Sequence, residues 1–276
     1  MPKLAYKIFE SKARIIFALI IVALYIFTLF DIKDAAQLDP YSTQEYAKLY
    51  SEPQFIWHTI SWLGSRLTIL LAILYITIVA PQYSFLSVHD SLQYRKELWR
   101  TNYFLAFIIS AVWVFLLLIS GFILMLTEKG TNTLWFVRMY YLIVVFIAIY
   151  GVLLMALISA SIAKSTVGAI VIFLGYFLAE ALLRKYLSLS DSTAELFFPA
   201  RVFTRLVPPP SINFGDDNIL KNFLQQNPIP LWANVAISAV YIMIFSLLGY
   251  KITVKLKHNN HEKQNHTVNS VDNANG

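Results

Sequence analysis

Two stretches of the chain, Thr101–Thr127 and Met139–Ala163, contain no Asp, Glu, Lys or Arg. Apolar runs of more than about 18 residues without charge are the signature of helices that cross a bilayer. No soluble core of ordinary size accommodates two of them beside the rest of this sequence. Of the 276 residues 58% are hydrophobic and 14% charged, against about 45–50% apolar and about 25% charged in a typical globular domain. The sequence is therefore that of an all-α polytopic membrane protein.

Six spans can be read. They are Ile15–Phe30, Ile56–Ala80, Tyr103–Thr127, Met139–Ala163, Ser165–Leu183 and Leu231–Tyr250. The first, sixteen residues between Arg14 and Asp31, invites a signal-peptide reading. Asp31-Ile32-Lys33-Asp34 behind it offers no small-x-small cleavage site, which favours a retained anchor. With both termini inside, the inner segments hold twelve Lys and Arg and the outer ones nine, five of these in the last outer loop. The positive-inside rule therefore sets both ends in the cytoplasm. The chain divides into an interfacial segment 1–13, a transmembrane domain 14–250 and a polar tail 251–276, disordered beyond Lys257 by its composition.

The segments between spans carry their own patterns. Pro2–Lys12 places Leu4, Ile8 and Phe9 on one face and its charges on another, the pattern of an interfacial amphipathic helix or of a plain basic flank. In the loop 81–102, Phe85, Val88, Leu92 and Trp99 recur at helical spacing, and Arg95, Lys96 and Arg100 are among the charges between them. Such a helix either docks on a soluble partner or lies on the membrane surface. The fourth and fifth spans are joined only by Ser161–Ser165 around Lys164, which predicts a tight hairpin with small residues at its tip. The outer loop 184–230 is too apolar for disorder. Its stretch from Glu195 to Leu206 reads as short helices folded back onto the outer membrane surface, stopped by Pro208-Pro209-Pro210.

Catalytic chemistry leaves no trace. With no cysteine there is no disulfide, thiolate metal site or Cys nucleophile. HExxH, GxSxG and GxxxxGK[ST] are absent, and the five histidines lie in flanks, loops and tail. The net charge of +6 fits basic loops at an anionic membrane surface and does not point to nucleic acid. Two spans carry a charge, Arg66 in the second and Glu180 in the fifth. Each costs about 2.5–3.5 kcal/mol to insert, so each should face protein or water. The two are candidates to pair or to line a pathway, unless each snorkels to a headgroup. Trp57, Trp62, Trp135, Tyr140, Tyr141 and Trp232 stand near span ends, as interfacial anchors do.

Taken in order, these parts resemble the permease subunit of ABC-2-type ABC transporters. The stretch ALISASIAKSTVGAIVIFLGYFLAE and the closing SAVYIMIFSLLGYKITVKLK carry the likeness most clearly. The resemblance implies an amphipathic elbow helix at Pro2–Lys12, a cytoplasmic coupling helix at Phe85–Arg100 and a second coupling turn at Ser159–Ser165. It also implies re-entrant outer helices from Glu195 to Pro210. Val88, Leu92, Arg95, Lys96, Trp99, Arg100, Ser161 and Lys164 would then meet a separate ATP-binding cassette ATPase subunit. Arg66 and Glu180 would line the path. The chain would hold no cofactor, ATP and Mg being bound by the ATPase, and would pair with a second permease copy or paralogue in the cell membrane to export a substrate. A charge inside the second span and a first coupling loop poor in small residues depart from the family's pattern. The other class open to six spans without a catalytic set is a non-transporting scaffold, such as an immunity or assembly factor.

Overall fold

The computed structural model describes residues 11–38, 53–84, 91–127, 140–187, 193–204, 206–207 and 231–255. The expected elbow before residue 11, Val88 and the polar tail beyond residue 255 lie outside the described residues. Every described element is helical: α1 Lys12–Leu38, α2 Pro53–Arg66, α3 Thr68–Ser84, α4 Leu92–Thr127, α5 Tyr140–Ala163, α6 Thr166–Tyr186, α7 Pro199–Thr204 and α8 Leu231–Tyr250. A 3₁₀ turn, Thr193–Phe197, precedes α7, and a π turn, Lys251–Lys255, follows α8. Among the described residues four helices are long and apolar enough to cross a membrane, and a fifth span arises if α2 and α3 count as one.

α5 is the axis of the bundle. It has no charged residue and its apolar window is 83% buried, whereas the windows of α6 and α8 are only 17% and 11% buried. A helix apolar on every side belongs in the middle of an assembly. Around α5 pack α2, α3, α4, α6, α7 and α8. Its residues from Val144 to Leu157 supply more of the contiguous core than any other element, and α3 adds Leu71, Tyr75 and Val79 among others.

The second apolar stretch is not one straight helix. α2 and α3 meet at Leu67 with a bend of 44°. Breaking a helix in lipid strands carbonyl groups that water cannot reach, so the protein must supply donors. Here it does so three times. Ser65 Oγ donates to Trp62 O at 2.6 Å, Thr68 Oγ1 to Ser65 O at 2.6 Å, and Trp113 Nε1 of α4 to Gly64 O at 3.2 Å. Gly64 lets α4 approach, since a Cβ there would fall 2.5 Å from Leu117 Cδ1.

The predicted hairpin between the fourth and fifth spans is present, and only Lys164 and Ser165 separate α5 from α6. Lys164 takes a left-handed conformation, φ 55°, and its N–H closes on Ala160 O at 3.1 Å. That is the usual helix stop, here made without glycine. Ser165 then starts α6, its hydroxyl accepting the N–H of Gly168 at 3.2 Å.

Two expectations need correction. The segment Leu92–Arg100 is not a separate coupling helix. It is the first part of α4, 36 residues in one piece, about 54 Å long at 1.5 Å per residue. A hydrocarbon core of about 30 Å leaves several turns of it outside. Nor does the stretch from Glu195 to Leu206 lie on the surface. The 3₁₀ turn and α7 fold into the bundle, packing on α5, α6 and α8, with Val202, Phe203, Leu206 and Val207 buried.

Candidate functional site

Glu180 shows why α7 goes inward. α7 begins with Phe198-Pro199, so no Ser, Thr, Asp or Asn stands where a helix ordinarily caps its own first N–H groups. Pro199 has no N–H to satisfy. Those of Ala200 and Arg201 go to the Glu180 carboxylate of α6, at 3.0 Å on Oε2 and 2.6 Å on Oε1. Val202 N–H reaches Phe198 O at 2.9 Å, which completes the first turn. One side chain from a neighbouring helix thus caps α7, and the positive end of the helix faces the only acid in α6.

A second carboxylate secures the approach. Glu195, 5% exposed, takes Arg201 Nε on both oxygens at 3.3 Å, and Arg184 Nη1 stands 3.6 Å from Oε1. Tyr241 of α8 donates its hydroxyl to Leu196 O at 2.9 Å. Two acids and two guanidiniums balance in charge, as buried ions must. Beyond this polar collar, Phe203 drives into the bundle. A Cβ on Gly151 would lie 2.2 Å from its ring, and Tyr241 and Phe245 flank it with centroids at 6.4 and 6.2 Å. Gly151 is the twelfth of the 24 residues of α5, so the segment reaches the mid-depth of that helix.

Arg66 lies elsewhere. It is exposed at the α2–α3 bend, its guanidinium carbon 5.1 Å from the centre of the Trp62 ring. Glu180 is spent on α7, and no ion pair joins the two.

The α4 face also departs from the pattern read in the sequence. Leu92, Lys96 and Arg100 are exposed, while Arg95 and Trp99 are buried. Arg95 is three residues after Leu92 and four before Trp99, so it shares their stripe on a helix, a signal present in the spacing. The buried stripe continues through Leu98, Asn102 and Ala106. Trp99 packs close against the backbone of α8, where a Cβ on Gly249 would fall 2.1 Å from Cη2. Ser246 Oγ and Tyr103 Oη, 3.3 Å apart, bridge the same pair of helices. At the α5–α6 turn Ser161 is buried and donates to Ile158 O at 2.8 Å, and Lys164 is exposed.

Sequence reasoning missed the capping role of Glu180 and the Arg184–Glu195–Arg201 collar. A helix start at Phe-Pro without its own cap signalled the first. Among the described residues no group of His, Asp and Glu is placed to hold a metal. Compared with family models, curated proteins and solved structures, the chain matches none.

Proposed function

We propose that this chain is the membrane-embedded permease subunit of an ABC transporter of the ABC-2 type, working with a separate ATPase and a second permease, identical or related. The observation that carries the reading is the capped segment before α8. A largely apolar segment with a polar collar is drawn to mid-bundle depth between α5 and α8 and held there by Glu180, the arrangement of a re-entrant element beside a pathway. The two-residue turn between α5 and α6, and the protruding start of α4, support it further.

In this reading α1, the α2–α3 pair, α4, α5, α6 and α8 are six spans. Both termini and the Lys164 turn lie in the cytoplasm, and the α7 segment enters from outside. The ATPase contacts Leu92, Lys96 and Arg100, which remain exposed on α4, together with Lys164. Arg95 and Trp99 transmit the push inward to α8, and rocking of the two permeases opens the exit. Arg66, exposed at a bend beside Trp62, faces the second permease across the path.

The burial of Arg95 and Trp99 inside the chain's own bundle is the one observation that favours a scaffold instead, because it withdraws two of the eight residues expected to meet the partner. A mild-detergent pull-down of the tagged chain from its native membrane, with mass spectrometry, separates the two. A stoichiometric Walker-motif ATPase, released when Lys96 and Arg100 are both changed to Glu, is the expected result. Recovery of intact chain without such an ATPase would overturn the permease reading.

A further inference from the structure

The Glu180 side chain collects three donors. They are the N–H groups of Ala200 and Arg201, at 3.0 and 2.6 Å, and the hydroxyl of Tyr176, one turn earlier on α6. A carboxylate offers lone pairs on both oxygens to such a set. A protonated carboxyl keeps one carbonyl oxygen and turns the other into an O–H, which opposes an N–H. The docked α7 segment therefore suits the charged form. The surrounding charges suit it too. Arg184 of α6 and Arg201 of α7 stand against Glu180 and Glu195, two of each sign. α3 and α5, which also pack on α6, contain no Asp, Glu, Lys, Arg or His. Their tyrosines, like Tyr176 and Tyr241 of α8, do not ionise near neutral pH.

Undocking would change this balance at one point. Ala200, Arg201 and Glu195 all belong to the segment and would leave together. Glu180 would stay behind as the fifteenth of the 21 residues of α6, a helix whose apolar window is only 17% buried. A carboxylate stripped of donors in apolar surroundings is held far more cheaply as the neutral acid. Arg184 does little to prevent that. It stands one turn nearer the end of α6, and its long side chain can reach water where the shorter Glu180 cannot follow.

We propose that Glu180 is a proton-controlled latch: the α7 segment docks on the ionised carboxylate, and its release is accompanied by the uptake of one proton there. The docked state binds one proton fewer, so docking strengthens as pH rises and weakens as pH falls. For a single proton the change is up to tenfold per pH unit. The latch acts in a permease and in a scaffold alike.

Trypsin cleavage after Arg201, followed from pH 6 to pH 9 on the full chain in lipid nanodiscs, reads the latch. Each rate is divided by that of an unstructured arginine peptide at the same pH. Cleavage after Arg100, on α4 and outside this cluster, reports any general opening. Normalised cleavage after Arg201 should rise as pH falls, several-fold to tenfold per unit over part of the range, with Arg100 unchanged. Glu180→Gln, neutral at every pH, should be cleaved at a raised rate that no longer depends on pH, while Glu195→Gln keeps the slope. A flat profile in the unaltered chain overturns the proposal, because Glu180 then carries the same charge docked and released. So does a slope that survives Glu180→Gln, or one that Arg100 shares. Should Glu180→Gln fail to fold, the Glu195→Gln chain still decides the assignment, and a slope lost there overturns it.

Discussion

Replacing Glu180 by Leu removes the acceptor of two N–H groups in the first turn of α7. The Ala200 and Arg201 N–H groups, now bonded at 3.0 and 2.6 Å, would face an apolar side chain within the bundle. A buried donor that loses its partner costs about 1–3 kcal/mol, so the two together cost about 2–6 kcal/mol. The expense of inserting a carboxylate does not offset this, because α6 sits in the membrane whether or not α7 is docked. Glu180→Gln should fall in between. Its single carbonyl oxygen serves one N–H while its amino group opposes the other, so about half of the loss remains.

The loss should appear first as undocking of α7. Trypsin cleavage after Arg201, with the full chain in mild detergent, measures that directly. An opening made easier by 2 kcal/mol raises cleavage about thirtyfold. The order should be unaltered chain, Glu180→Gln, Glu180→Leu, and retention of a monodisperse peak after heating should fall in the same order. Arg66→Leu should leave cleavage after Arg201 unchanged, since Arg66 touches Trp62 and not this cluster. The reasoning is refuted if Glu180→Leu resists trypsin and heat like the unaltered chain. It is refuted equally if Arg66→Leu opens the segment as far as Glu180→Leu does.

Three further substitutions report on other joints. Gly249→Val should destabilise the bundle by about 1–3 kcal/mol through overpacking, because its Cβ would lie 2.1 Å from Trp99; Trp99→Leu should recover part of the loss in a double-variant cycle of thermal midpoints. Lys164→Gly should raise the thermal midpoint, as glycine relieves a left-handed backbone worth up to about 1 kcal/mol at φ 55°. Trp113→Phe keeps an aromatic ring but withdraws the donor from Gly64 O, so it should cost about 1–3 kcal/mol and be read as a lower midpoint in the same assay.

What the sequence discloses and what it hides divide along a physical line. The bilayer acts on every residue of a span at once, so the absence of charge over Met139–Ala163 is enough to mark α5. The Lys164 hairpin is legible for a similar reason, because two long apolar runs separated by so few residues have no other way to turn. Single polar groups are different, since each bond they make depends on where one distant atom comes to rest. Gly64 O depends on Trp113, 49 residues on, and the cap of α7 depends on Glu180, which precedes it by 20 residues.

Pairing, pathway lining and snorkelling all seek a partner for the charges of Arg66 and Glu180, and none of the three considers the unsatisfied N–H groups of a helix that starts at Phe-Pro. The α4 stripe teaches the same lesson from the other side. Polarity sets Arg95 apart from Leu92 and Trp99, although three- and four-residue spacing puts all three on one face. Trp99 packs against Gly249 of α8 and Arg95 is buried with it, while Leu92 stays outside. In a membrane bundle, therefore, a polar residue is placed by the backbone or side-chain group that it must satisfy. Listing the groups that a predicted helix leaves unsatisfied at its ends and breaks is the step that would have found Glu180.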